Sequence, residues 1–215
     1  MAFKSKIILL RIQLKAFSLI ELSIVLVIMG VLMGAVFKGQ DLLNVAKIRS
    51  VVNDFQHIKI AISTYRDTYG SYPGDDPHAH ERFGSTIRSG DGNNIINTTD
   101  EQAHVWIHLN KAGDIESPEP PESKFGGNYT IVYQPTESMP GHWIRLSKNN
   151  GEGLLTPKQA QKLMVKVDEG TAARSPNDGL LRITNGSNTA SESCLQGANL
   201  NMNTKNQVCI VYMKM

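Results

Sequence analysis

Four oxygen-bearing side chains, Asp75, Asp76, Asp91 and Asn93, stand in one stretch rich in glycine and asparagine, "GSYPGDDPHAHERFGSTIRSGDGNNIIN". Hard oxygen donors gathered in this way could hold Ca2+, which takes roughly six to eight oxygen ligands. "DGNNIIN" meets the EF-hand pattern only at its first and third ligand positions, and the same residue types also build ordinary turns. Two histidines, His104 and His108, lie one helical turn apart, as zinc ligands can. Their frame, "HVWIH", lacks the glutamate of the zinc-protease motif, and Trp106 and Leu109 beside them favour a packed helix face. His78 and His80 form an equally plain H-x-H in the loop. No glycine-rich phosphate loop with lysine, no GxSxG and no framed acidic dyad occurs, so an enzyme is not expected. The chain has two cysteines, Cys194 and Cys209, too far apart for a redox CxxC.

The most unusual acid is Glu21. It is the only charge between Phe17 and Phe37, in "FSLIELSIVLVIMGVLMGAVF". About 21 residues at roughly 1.5 Å each reach about 30 Å, enough for a helix to cross a bilayer core. Ahead of the run lie Lys4, Lys6, Arg11 and Lys15 and no acid, which places that flank on the cytoplasmic side and exports the remainder. A cleaved secretory signal would have a shorter apolar core ending in small residues spaced like A-x-A, whereas Met33 stands two places before Ala35. A plain single-pass anchor accounts for the length but not for the acid. A carboxylate in a membrane helix costs about 2.5–3.5 kcal/mol on insertion scales, so a partner is expected.

The basic leader, "AFSLIE" and "LSIVLVIMGVLMG" together resemble the class III signal of type IV prepilins and type II secretion pseudopilins. The resemblance implies cleavage by prepilin peptidase between Ala16 and Phe17 and N-methylation of Phe17. The family's acid at the fifth mature position falls on Glu21, and its helix-weakening glycine on Gly30. One departure is Ala16, where the family usually has glycine. Cleavage would leave a free amine on Phe17, and Glu21 offers that amine, in its own chain or in an adjacent subunit, a counter-charge in lipid. Phe17 and Glu21 are thus expected to serve assembly. Gly30 and Gly34 in "GVLMG" also fit close helix packing in lipid, a use the residues alone leave open. "YPGDD", "GDGN" and "WIHLNKAG" resemble, less specifically, prepilin-type proteins with a larger head, and the resemblance to major pseudopilins brings with it a calcium-stabilised loop.

These residues need positioning elements. Beyond Lys38 apolar residues recur at Val45, Ile48, Val52, Phe55, Ile58, Ile62, Tyr65 and Tyr69, the spacing of an amphipathic helix with one buried face. Gly70 and Pro73 end it. Residues 70–97 read as loop. Thr99 with Gln102 predicts a capped helix ending at Gly113, and "DIESPEPPES" an extended acidic linker. Thr156, Pro157 and Gln159 open another helix that Gly170 stops. "YTIVY", "HWIRL", "LLRIT" and "QVCIVYM" read as strands. No fixed-period repeat occurs.

The expected fold is α+β and pilin-like: a long N-terminal helix, first transmembrane and then amphipathic, packed on a small antiparallel sheet. Its parts are a removed leader (1–16), a transmembrane and assembly helix (17–37), the amphipathic continuation (38–70) and an exported head (71–215). An oxidising compartment makes Cys194–Cys209 most simply a disulfide, worth roughly 3 kcal/mol for a loop of this length. Removing a leader with four bases and no acids turns the formal charge of +2 into −2, so a nucleic-acid partner is not expected. The expected function is a structural subunit of a type IV pilus or a type II secretion pseudopilus. Its partners would be prepilin peptidase, other pilin or pseudopilin subunits, the inner-membrane assembly platform and the lipid bilayer. The subunit would sit in the inner membrane with a periplasmic head before joining the filament. Two alternatives stay open: a minor pilin whose head binds DNA, a surface or secreted cargo, and a single-pass membrane-anchored periplasmic protein.

Overall fold

The computed structural model describes residues 18–136, 138–148, 151–168, 175–187 and 192–215. Its first element is helix α1, Leu19–Tyr69, which begins with the Leu22 N–H donating to the Ser18 carbonyl at 3.2 Å. The chain divides into two units, Met1–Leu43 and Asn44–Met215.

In the first unit the helix is apolar on all sides and covered on none. Leu19, Ile20, Leu26, Val27, Val31, Leu32 and Met33 are all exposed. Among the described residues it is the one helix long and apolar enough to cross a membrane. A helix apolar all round has no polar face to give to water, so its stable surroundings are lipid or other helices.

In the second unit α1 becomes one-sided. Ile48, Val51, Phe55, Ile58, Ile62 and Tyr65 are buried, and their spacing of three or four places them on one face. Val45 stays exposed and Val52 half-buried, so the buried row runs through Val51 instead. Gly70, at φ +74, closes the helix with its N–H on the Arg66 carbonyl at 2.8 Å, a left-handed end that glycine adopts without strain.

This face packs on a four-stranded antiparallel sheet formed by β1 (Asn128–Gln134), β2 (Gly141–Ser147), β3 (Leu181–Asn185) and β6 (Cys209–Lys214), in the order β1-β2-β6-β3. Strand alternation sends one set of side chains to the helix side, in two rows across the sheet. One row is Ile131, Ile144, Met213 and Leu181; the other is Tyr129, Leu146, Val211 and Ile183. The phenol of Tyr129 meets Phe55 edge-on at 5.3 Å between centroids and donates to Asp54 Oδ2 at 2.9 Å, fixing helix to sheet. Val132, Trp143, Ile210 and Tyr212 form a smaller cluster on the other face, with the Trp143 indole N–H on the Met139 carbonyl.

Three further helices frame the core: α2 (Ala79–Phe83), α3 (Thr99–Ala112) and α4 (Pro157–Val167). The sequence predicts α4 at its start, where Thr156 and Gln159 make the capping box and Pro157 is the first helical residue. Gly170 lies outside the described residues. For α3 the cap falls one residue earlier than Thr99 and Gln102 predict. Thr98, extended at φ −93 and ψ 154, accepts from the Glu101 N–H at 3.1 Å. Glu101 Oε2 in return accepts the N–H groups of Asn97 and Thr98. A carboxylate makes both bonds with charge assistance, which the Gln102 amide cannot supply, and this decides between the two adjacent threonines. Helix α2 lies in the stretch read as loop; at five residues it is too short for periodicity to register. The same holds for a hairpin of β4 (Leu195–Gln196) and β5 (Asn199–Leu200).

Candidate functional site

The assembly residues predicted from sequence divide at Ser18. Ala16 and Phe17 lie outside the described residues. Glu21 stands in the first turn of α1, exposed, with no ion pair among the described residues. Gly30 and Gly34 sit in the same uncovered helix, where a Cβ would meet nothing within 4 Å. No intramolecular packing therefore requires a glycine at either position.

In the head the loop acids converge from separate stretches. The chain leaves α1, turns at Pro73–Gly74, runs through α2, and returns at Gly90 against its own start. A Cβ at Gly90 would collide with the Asp75 backbone, and one at Gly74, at φ +89, with the Glu101 carbonyl. Each position thus needs glycine because another backbone passes too close. Asp75 is fully buried and accepts three N–H groups: Gly92 (2.8 Å) and Asn93 (3.2 Å) on Oδ1, and Asn94 (2.7 Å) on Oδ2. Through these bonds one carboxylate shapes the returning strand of the loop.

Asp75, Asp91 and Glu101 each bring one carboxylate oxygen within 4.8 Å of the others. Burial pushes the Asp75 carboxyl up to about 6; the hydrogen-bonded Asp91 adds to the rise, and the Asn94 and Gly92 N–H groups oppose it. Glu101 is the member that sequence reading missed. Its distance along the chain hides it, and its capping role gives only an indirect signal. Asp76 and Asn93 are engaged elsewhere. Asp76 accepts from the Tyr65 hydroxyl at 2.7 Å and the His78 N–H at 2.9 Å, and pairs with Arg82. Asn93 Oδ1 accepts the Ile95 N–H at 2.7 Å, while its amide donates to Asp91. An all-carboxylate donor set suits a hard divalent cation rather than a soft one.

Two imidazoles hold the loop from outside. His108 Nδ1 accepts the Gly74 N–H at 2.9 Å, which leaves Nε2 to carry the proton and donate to the Arg88 carbonyl at 2.8 Å. His142 Nε2 accepts the Ile96 N–H at 3.1 Å. The loop is thus pinned near its beginning and its end by neutral rings. Burial lowers the pKa of both, with the nearby Arg66 acting in the same direction on His142. His108 is fully buried and stacks on Tyr65, with both nitrogens committed to backbone. His104 is half-buried, its ring nitrogen 2.6 Å from the Asp100 carbonyl oxygen. The pair therefore follows the helix-face packing that Trp106 and Leu109 suggest, not a zinc site.

The last predicted pair is joined: Cys194 and Cys209 form a disulfide, both residues wholly buried.

Residues 15–37 match the prokaryotic N-terminal methylation motif, the segment that contains Ala16, Phe17, Glu21 and Gly30. The chain matches no curated protein. Among solved structures it is similar to the major type IV pilin PilA1 from Clostridium difficile, at 19% identity over 80% of this chain and 95% of that one, with a TM-score of 0.39.

Proposed function

We propose that this prepilin-like chain is a structural subunit, not an enzyme, cleaved between Ala16 and Phe17, methylated on Phe17, and polymerised through the first part of α1. The polymer is a type IV pilus or the pseudopilus of a type II secretion machine. Before assembly the subunit sits in the inner membrane with its head outside, and it is handed to the filament by a membrane platform. The observation that carries this reading is α1 itself: residues 19–36 are uncovered on every side, with one acid, Glu21, in the first turn. Monomeric burial cannot satisfy such a helix, and the acid has meaning only beside a cation in lipid.

The test is Glu21→Val, followed by mass spectrometry of membrane extracts and by polymer yield in the same cells. Both proteins should mature to a chain beginning at N-methylated Phe17. The variant should insert at least as well, since valine replaces a costly carboxylate. Leaving the neighbour's Phe17 amine unpaired costs about 2.5–3.5 kcal/mol, so subunit addition should weaken by roughly a hundredfold. Wild-type output from processed Glu21→Val would refute the pairing.

The carboxylates of Asp75, Asp91 and Glu101 suit Ca2+, with water and loop carbonyls completing its shell. A cation there would offset the burial that raises the Asp75 carboxyl and the smaller push from the Glu101 charge. Melting of the full chain in detergent should show it. Calcium at about 100 times its Kd adds about 2.7 kcal/mol, and chelator removes it. An identical melt under both conditions leaves Asp75 with only its turn-forming role.

A further inference from the structure

Between α1 and the acidic proline-rich segment runs a groove of about 560 Å3. Ile58, Ile115, Pro120 and Pro121 give it an apolar floor, and Glu116, Glu119 and Glu122 stand exposed along it with Asp114 half-buried beside them. No lysine or arginine lines it, and none of these four acids has a cation within ion-pairing distance among the described residues. It lies at the β1 edge of the sheet: the Tyr129 N–H donates to the Pro121 carbonyl, and Glu122 bridges to Asn128.

The opposite edge carries the complement. Helix α4 packs on β3 and β6 through Ala160, Leu163 and Met164. Its outward face shows Lys158, Lys162 and Lys166, one turn apart in succession, with Val165 63% exposed among them. Lys158 and Lys162 have no carboxylate within ion-pairing distance among the described residues. A basic ridge with an apolar residue and an acidic groove with an apolar floor thus flank one sheet. The order β1-β2-β6-β3 puts three strand spacings, about 14 Å, between β1 on the groove side and β3 on the α4 side.

We infer that α4 of one copy docks in the acidic groove of the next, Lys158 and Lys162 against Glu116 and Glu119, so that the heads contribute a directional contact to the polymer. This rests on the polymer reading above. Two different surfaces on opposite edges make a heterologous contact, which repeats head to tail and gives an open filament when its rotation does not close a ring. Each ion pair at the rim is weak in water, and the contact gains strength because packed α1 helices hold neighbouring heads at high effective concentration. Burial raises the Asp114 carboxyl, which a neighbouring lysine would relieve.

The experiment uses the full chain in cells. Polymer from the unmodified chain is collected first, and zero-length carbodiimide is applied to it. Amide cross-links from Lys158 or Lys162 to Glu116 or Glu119 of another copy are expected. Lys158→Glu/Lys162→Glu and Glu116→Lys/Glu119→Lys should each lower polymer yield about tenfold through like-charge contact, and combining all four in one chain should restore it. Polymer that forms normally without those cross-links, and ignores the reversals, overturns the head contact while leaving the subunit reading intact. Groove cross-links to a different protein, or a Glu116→Lys/Glu119→Lys defect that the lysine reversals fail to repair, assign the groove to another basic ligand and overturn it too. If the unmodified chain yields no polymer, both readings fall together.

Discussion

Replacing both cysteines, Cys194→Ala with Cys209→Ala, should cost the head about 3 kcal/mol, within the roughly 2–5 kcal/mol range for native bridges. The bond spans 15 residues and encloses the β4–β5 hairpin, whose Leu195 and Leu200 pack against the main core. Its other end anchors that hairpin to β6, an interior strand of the sheet. Cys209 is also where the segment before α4 attaches: its carbonyl accepts the Leu154 and Leu155 N–H groups, at 2.9 and 3.2 Å. Without the bridge the unfolded chain regains loop entropy, and the two-residue strands β4 and β5 are too short to hold the hairpin alone. In urea, with the full chain in detergent, the midpoint should fall. The slope should stay level or rise slightly, because an uncrosslinked unfolded state exposes more surface. Thiols of the native protein should resist alkylation until reductant is added. An unshifted midpoint would show that the hairpin is held by its side chains alone.

His108→Ala should be comparably damaging, about 3–5 kcal/mol, because it empties an aromatic-sized space and strands two backbone groups, the Gly74 N–H and the Arg88 carbonyl. Glutamine is the informative second variant, since its amide can accept at one atom and donate at the other. His108→Gln should recover much of the loss and change the pH dependence. In the wild type the folded imidazole has a pKa below 6.5, so above that pH neither state gains a proton and the ring adds no slope. As pH falls below 6.5 the unfolded chain takes up a proton that the folded ring refuses, and stability declines until the folded pKa is passed, by at most about 1.4 kcal/mol per pH unit. His142 acts in the same sense. Asp75 acts in the opposite one: held at about 6 in the fold against an ordinary value of 3.8, it is protonated first in the native state, so stability rises as pH falls from 6 towards 3.8. The His108→Gln protein should therefore lose less stability than wild type between pH 6.5 and 5. Parallel curves for the two proteins would mean that the ring does not enter the native state neutral.

Much of this molecule is local chemistry, and local chemistry is legible in sequence. The uncovered helix, its lone Glu21, the stripe from Ile48 to Tyr69 and the Thr156–Pro157 start each depend on residues within a few positions of one another. The four sheet strands were legible because alternation is local too. The disulfide was legible because a chain with two cysteines and a tail expected to be exported leaves few choices. The order β1-β2-β6-β3, which brings the C-terminal strand inside, was not local and could not be read.

The loop shows the same division. Its acids are visible in the sequence, but which of them meet is decided by the return of Gly90 onto Asp75 and by the adjacent α3. That return takes Asp76 to Tyr65 and Arg82 and brings Glu101 beside Asp75 and Asp91. His108 and His142, on α3 and β2, become the loop's two pins only once the sheet and helices have packed. Residue order alone specifies what each segment can be: an apolar span with an acid in its first turn, a one-sided helix and a set of short strands. Tertiary structure alone decided which side chains share a site, because hydrogen bonds and ion pairs act over about 3–4 Å in space whatever the separation along the chain.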